Sequence, residues 1–251
     1  FARFADNFRE NAVLLVKNDV DLKINRKDIR IFNYSLDDGG DFYAQKIRID
    51  GRRYCFDICV PDGEIRDISL PVPSLFNVEN AVAASALAYL AGAKPDDIRS
   101  ALETFSGIRR RFDMHCDGSI VYIDDYAHHP AEIAFCMKSV RKLYPGRKIC
   151  AVFQPHLYSR TKDLAEGFAE SLDLADQIIL LDIYPARENP IPGVDAGIIF
   201  DKIRNTAKLM CPKEKLIDTI KAGKPDILVT MGAGDIDMLV EPIIKMLQEL
   251  K

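Results

Sequence analysis

One stretch constrains this chain more than any other: Ser119 to Pro130, SIVYIDDYAHHP. An apolar run, Ile120 to Ile123, stops at two acids, and Pro130 then opens a segment whose apolar residues Ile133, Met137, Val140 and Tyr144 recur at helical spacing. That is strand, loop, helix. The pattern repeats, because residues 148–153 run into Gln154, Pro155, His156, Tyr158 and Arg160 and a second helical segment. Strands are expected at 119–123, 148–153, 177–183 and 226–231, helices at 130–144, about 161–174, about 196–207 and 235–250, and a further short strand near 215–217. Strands that are nearly continuous apolar runs belong to a sheet covered on both faces, so this half is predicted to be a doubly wound, mostly parallel α/β domain. In such a sheet ligands lie outside the carboxyl ends of the strands, where Asp124, Asp125, Tyr126, His128, His129 and His156 fall.

The earlier half reads differently. Strands are expected at 13–17, 29–34 and 42–49, and 53–60 returns across Gly51 as a hairpin. Asp37, Asp38 and Asp41 read as a solvated loop rather than a metal site. Phe1 is not methionine, and the opening residues read as the middle of a helix, as in a piece of a longer polypeptide. AVAASALAYLA is a helix closed by Gly92, and Asn77 and Asn80 share one face of its first turn. They form either a site for a polar ligand or an N-cap. A second helix covers 95–104, with Asp96 and Asp97 in the first turn where the helix dipole favours them. Residues 108–113, IRRRFD, are the expected boundary between domains 1–108 and 109–251, and arginines there can meet phosphate oxygens.

Bulk properties exclude several classes. A net charge of −4 gives no basic footprint for nucleic acid, and no run approaches a membrane span. The six cysteines contain no CxxC pair and read as the reduced thiols of a cytosolic protein. Gly232-Ala-Gly234 lacks the third glycine of a dinucleotide fingerprint and reads as a turn with close backbone approach. There is no GxSxG elbow, and no HxH or HExxH spacing, so no metal site is expected. A metal hydrolase using the Asp and His cluster stands as an alternative that requires stoichiometric zinc or manganese.

The order of the motifs says more than any one of them. NVENAVAA, RRRFD, VYIDDYAHHPAEI, VFQPHLYSRTKDL, LDIYPARENPIPGVD and a late GAGDI together resemble the Mur ligase family, densely from about Pro71 to Asp237 and thinly before. Within it the motifs track the branch that adds L-alanine to UDP-N-acetylmuramate. The resemblance implies the C-terminal part of a central α/β ATPase domain with antiparallel strands, followed by a Rossmann-like C-terminal domain. The implied chemistry is peptidoglycan synthesis in the cytoplasm, and with it cell-wall growth, shape and division. ATP, with magnesium, activates the muramate carboxylate as an acyl phosphate. That step releases ADP; the amine of L-alanine then attacks, and the tetrahedral intermediate collapses to amide and phosphate. By the same resemblance Asn77 and Asn80 match the adenine site. Arg111 matches the arginine near the nucleotide phosphates, and Asp125 the aspartate on the ATP side. Tyr126, His128, His156 and Arg160 match the alanine and muramate end.

Two residues depart from the family pattern: Phe76 stands where histidine usually precedes the first asparagine, and Leu157 where arginine usually follows QPH. No GxxxxGK[ST] occurs in the 251 residues, so the chain by itself is expected to lack ligase activity. The alternatives are a ligase that recycles murein tripeptide, and a module that binds amino acid or nucleotide without turnover.

Overall fold

The computed structural model describes residues 5–249. Two compact units divide between Ser106 and Gly107. The helical opening expected at residues 1–4, and Leu250 at the end of the last helix, lie outside the described residues, and residues 6–12 run through turns into the first strand.

The first unit is a five-stranded sheet followed by two helices. Strands β1 (Val13–Lys17), β2 (Arg30–Ser35), β3 (Phe42–Asp50), β4 (Arg53–Val60) and β5 (Gly63–Leu70) lie in sequence order. β1, β2 and β3 run parallel, and β3, β4 and β5 antiparallel. Gly51, with φ 59°, makes the β3–β4 turn in a conformation that costs other residues strain. β5 was not among the expected strands; its signal is Pro61-Asp62-Gly63 followed by the buried Ile65 and Ile68. Helix α1 (Leu75–Leu90) buries Val78, Ala81, Val82, Ser85 and Ala86, the stripe that a 3.6-residue period dictates. Helix α2 (Pro95–Thr104) carries Asp96 and Asp97 in its first turn as expected.

The second unit is a doubly wound sheet. Its strands are β6 (Asp113–Asp117), β7 (Val121–Asp125), β8 (Ile149–Phe153), β9 (Gln177–Leu180), β10 (Lys208–Met210) and β11 (Ile227–Met231), ordered β10-β9-β8-β11-β7-β6. All neighbours are parallel except β6, which runs antiparallel to β7. Alternate residues serve opposite faces. Ile123, Ala151, Phe153, Ile178 and Val229 join one core with residues of helices α3 (Pro130–Leu143) and α4 (Tyr158–Leu172). Tyr122, Cys150, Val152, Ile179 and Leu228 join another with Leu216, Ile220, Val240 and Ile243 from α6 (Leu216–Gly223) and α7 (Val240–Glu249).

Five local expectations are corrected. The strand expected at 119–123 is shifted, so both acids lie within β7, and the strand expected to reach 183 ends at Leu180. The helix expected over 196–207 is the single turn α5 (Gly197–Phe200). Asp173 takes the backbone N–H groups of Arg204 and Asn205, and Lys208 Nζ takes the carbonyls of Phe200 and Ile203, so those groups are withdrawn from a helix. In place of a strand at 215–217 there is a 3₁₀ turn, Lys213–Lys215, leading into α6 with Leu216 and Ile220 buried four apart. The last helix starts as a 3₁₀ turn, Asp235–Leu239.

All six cysteines are free thiols. No helix among the described residues is long and apolar enough to cross a membrane. Phe168 of α4 is fully buried with its ring 5.1 Å from Phe153 of β8. Replacing it with alanine is expected to cost about 3–5 kcal/mol, read as a lower urea midpoint for the second unit.

Candidate active site

The second unit brings most of the predicted residues to the carboxyl edge of its sheet. Asp124, next to last in β7, is fully buried, and a carboxylate in that setting requires partners. Its Oδ2 accepts from Arg110 Nε at 3.0 Å, and its Oδ1 accepts from Thr230 Oγ1 at 2.7 Å across the β7–β11 ladder. Tyr122 Oη lies 3.1 Å from Thr230 Oγ1 and, since that oxygen already donates onward, must be the donor. Burial pushes the Tyr122 phenol up, which keeps that proton in place. Arg110 also donates to the carbonyl of Gly232 at 2.6 Å and lies 3.7 Å from Asp237.

The neighbouring Asp125 is spent on backbone. Oδ2 accepts from the N–H of Phe112 and Oδ1 from that of Ala127, each at 2.8 Å. Burial nevertheless raises its carboxyl to about 6, outweighing those two donors and nearby Arg111. Between the residues these two acids hold stands Arg111, exposed, its guanidinium 5.3 Å from the ring centre of Tyr126. Arg110 and Phe112 on either side are left-handed, φ 62° and 51°. For non-glycine residues each such conformation costs about 1–2 kcal/mol, and contacts around it must hold it.

From Tyr126 a row of rings crosses the edge: Tyr126 to His128 at 5.3 Å, His128 to His156 at 6.5 Å, and His156 stacked on Tyr184 at 5.8 Å. His128 is fixed by the Tyr126 carbonyl at Nδ1 and by Glu132, which accepts from its backbone N–H. His129 is the N-cap of α3, accepting from Ala131 at Nδ1. Burial first, then Arg160 and His128, lowers the His156 pKa, so the ring is neutral near pH 7. His156 Nδ1 and Arg160 Nη1 are both buried without a hydrogen-bond partner. Buried polar atoms without a protein partner call for one, whether a water molecule or a bound polar group. Glu188 does not pair with Arg187; it accepts from the backbone and hydroxyl of Ser159, the latter at 2.5 Å. Leu157 is a buried residue at φ 72°, its N–H held by the Tyr184 carbonyl.

Asn77 and Asn80 belong to the first unit. Neither caps α1, whose N-cap position is Ser74. Asn77 is partly buried, Asn80 exposed, and Glu79 beside them pairs with Lys17 at 3.1 Å. Phe76 is exposed.

Thr230 and Asp235 were not singled out from sequence, Arg110 was read there only as one of three arginines at the boundary, and Gln154 only as a member of the polar cluster after the second strand. Gln154 donates to Asp235 and accepts from the N–H of Ile236, tying the β8 and β11 exit loops together, with Lys213 paired to Asp235. A Cβ on Gly232 would lie 2.8 Å from the Gln154 carbonyl, and one on Gly234 would lie 2.5 Å from its side chain, which is the close approach the glycines signalled. The metal-hydrolase alternative would need the Asp and His side chains free to ligate together. Asp124 and Asp125 have their oxygens engaged, and among the described residues no three His, Cys, Asp or Glu side chains form a metal cluster.

The profile of the Mur ligase middle domain matches residues 1–88, and that of the Mur ligase glutamate ligase domain matches residues 110–234. The chain belongs to the Mur ligase family. It is 47% identical over 249 residues to the UDP-N-acetylmuramate–L-alanine ligase of Parabacteroides distasonis, covering 98% of this chain and 54% of that one. The enzyme of the same name from Phocaeicola vulgatus is 41% identical over 252 residues, covering 99% and 55%. The chain thus spans about half the length of the curated relatives it matches. Among solved structures, UDP-N-acetylmuramate-alanine ligase from Thermotoga maritima superposes with TM-score 0.73 at 24% identity over 88% of this chain and 48% of that one. MurF ligase from Thermotoga maritima in complex with ADP gives 0.70 at 16% identity, over 97% and 55%. These two likenesses establish the shared Mur ligase fold.

Asp125 carries a pH prediction. Its folded pKa lies above the ordinary carboxylate value, so the folded state holds a proton that the unfolded chain has released, and stability falls as pH rises from about 4 to about 6. The Asp125→Asn variant is expected to lack this slope. In thermal unfolding the wild-type advantage should shrink by about 3 kcal/mol across that window and stay constant above it.

Proposed function

We propose that this chain contributes the C-terminal part of the middle domain (residues 1–108) and the C-terminal domain (109–251) to an ATP-dependent ligase joining L-alanine to UDP-N-acetylmuramate. The observation that carries the reading is the pair of buried, unpartnered nitrogens, His156 Nδ1 and Arg160 Nη1, at the end of the Tyr126–His128–His156 row. A small amino acid offers what that place lacks: a carboxylate for the guanidinium and an amine that must reach an acyl carbon. Neutral His156 adds no second positive charge where the alanine ammonium must lose its proton before attack. The names of the relatives support the substrate pair.

In this reading Arg111, exposed at the sheet edge, meets the phosphates of ATP, with Asp125 on the same side, and Asn77 and Asn80 serve the adenine. Tyr126, His128, His156 and Arg160 orient alanine and muramate. The chain's contribution to catalysis is then positioning and charge stabilisation at the transferred phosphoryl group. Magnesium, when bound, neutralises phosphate charge, and no residue of this chain is assigned to hold it. The substrates place the reaction in the cytoplasm.

The test is a chimera in which this chain replaces the matched part of the Parabacteroides distasonis ligase. It is expected to release ADP in response to L-alanine, while the 251-residue chain alone gives no turnover. Arg160→Ala should raise the KM for alanine about 10- to 100-fold with the loss of a charge-assisted pair. Arg111→Ala should lower kcat/KM for ATP about 100-fold. A preference for glycine or for murein tripeptide over alanine would overturn the substrate assignment.

A further inference from the structure

We propose that Arg110 and Asp124 are positioning residues: their buried ion pair latches the segment 108–112 to the carboxyl edge of the second unit's sheet and thereby sets where the Arg111 guanidinium is presented. The consequence for catalysis rests on the ligase reading above; the latch does not.

Three consecutive arginines stand in different surroundings. Arg109 and Arg111 are exposed, whereas the Arg110 side chain is mostly buried, with 13% of its surface accessible. Its guanidinium meets groups from several elements: the carboxylate of Asp124 on β7, the carbonyl of Gly232 after β11, Asp237 on the following 3₁₀ turn, and the ring of Tyr126 at 5.2 Å. Its backbone is held too, its N–H by Asp113 and its carbonyl by the N–H of Tyr126 at 2.7 Å. One residue later the Phe112 N–H is taken by Asp125 and its side chain is buried. Arg111 is therefore the exposed residue between two anchored left-handed neighbours, neither of them glycine.

A left-handed arginine relaxes unless surrounding contacts over-determine it. The ion pair with Asp124, itself fixed through Thr230 and Tyr122, is what does so on the N-terminal side. Losing that pair frees the Arg110 backbone, and with it the position of the Arg111 side chain, while Arg111 itself stays in the chain.

The test has two arms. In the 251-residue chain, amide hydrogen exchange is followed by NMR for Asp124→Asn, with the amide of Tyr126 (bound to the Arg110 carbonyl) and that of Ala151 inside β8 as reporters. Exchange at Tyr126 is expected to speed up at least about tenfold, the scale of one lost hydrogen bond, with Ala151 unchanged. Unchanged protection at Tyr126, or an equal acceleration at Ala151, overturns the latch. In the chimera, kcat/KM for ATP is compared for Asp124→Asn, Arg111→Ala and the double variant. If the pair acts through Arg111, Asp124→Asn loses activity and the double variant is no worse than Arg111→Ala alone; multiplying losses overturn the proposal. Arg111→Ala with full activity, or an inactive chimera, sinks the ligase reading instead, and the exchange arm still decides the latch.

Discussion

A carboxylate with no solvent access cannot stand alone, and Asp124 is fully buried in β7, between β11 and the antiparallel edge strand β6. Everything at the carboxyl edge is arranged to meet that requirement. Thr230 faces it from the neighbouring strand, Tyr122 supports Thr230 from two residues earlier on the same strand, and Arg110 reaches in from the segment preceding β6. Removing one member of such a set leaves a buried charge or dipole uncompensated, which costs more than the net value of the bond lost. The site is thus built on groups that do not themselves face a ligand.

The strand order explains why the polar loops converge. β11 sits between β8 and β7, so the loops leaving three adjacent parallel strands open on the same edge. Helices α3 and α4 share one core with the sheet, while α6 and α7 share the other, and the chain changes face before it returns to form β11. Ligands in doubly wound folds bind where the winding reverses. Gln154 and Asp235 hold the β8 and β11 loops together there, and the two glycines after β11 leave no room for a side chain between them.

How much of this was legible follows from which signals are local. The alternation of strand and helix after residue 119, and the stripe of α1, are written in apolar spacing and survive any tertiary context. The short helix α5 is not, because Asp173, 31 and 32 residues away in sequence, takes the backbone N–H groups of Arg204 and Asn205. The same holds for Arg110. In sequence it is one of three like arginines, and only the register that brings Asp124 opposite Thr230 separates it from its neighbours. No glycine marks the left-handed turn at 110 and 112, so the usual signal for a positive φ is missing.

Asp124 and Asp125 show how one dipeptide supplies two different anchors. Successive residues of a strand point to opposite faces, so adjacent acids cannot share a partner. Asp124 takes a guanidinium and a hydroxyl; Asp125 takes two backbone N–H groups, which are fixed dipoles rather than a full charge, and these do not offset its burial. The first acid therefore holds a side chain and the second holds the main chain two residues further on. The separation between those two grips is one residue, and that residue is Arg111. Two adjacent acids opposite an RRRF run are the smallest arrangement that fixes both neighbours of an arginine while leaving the arginine itself to solvent or to a ligand.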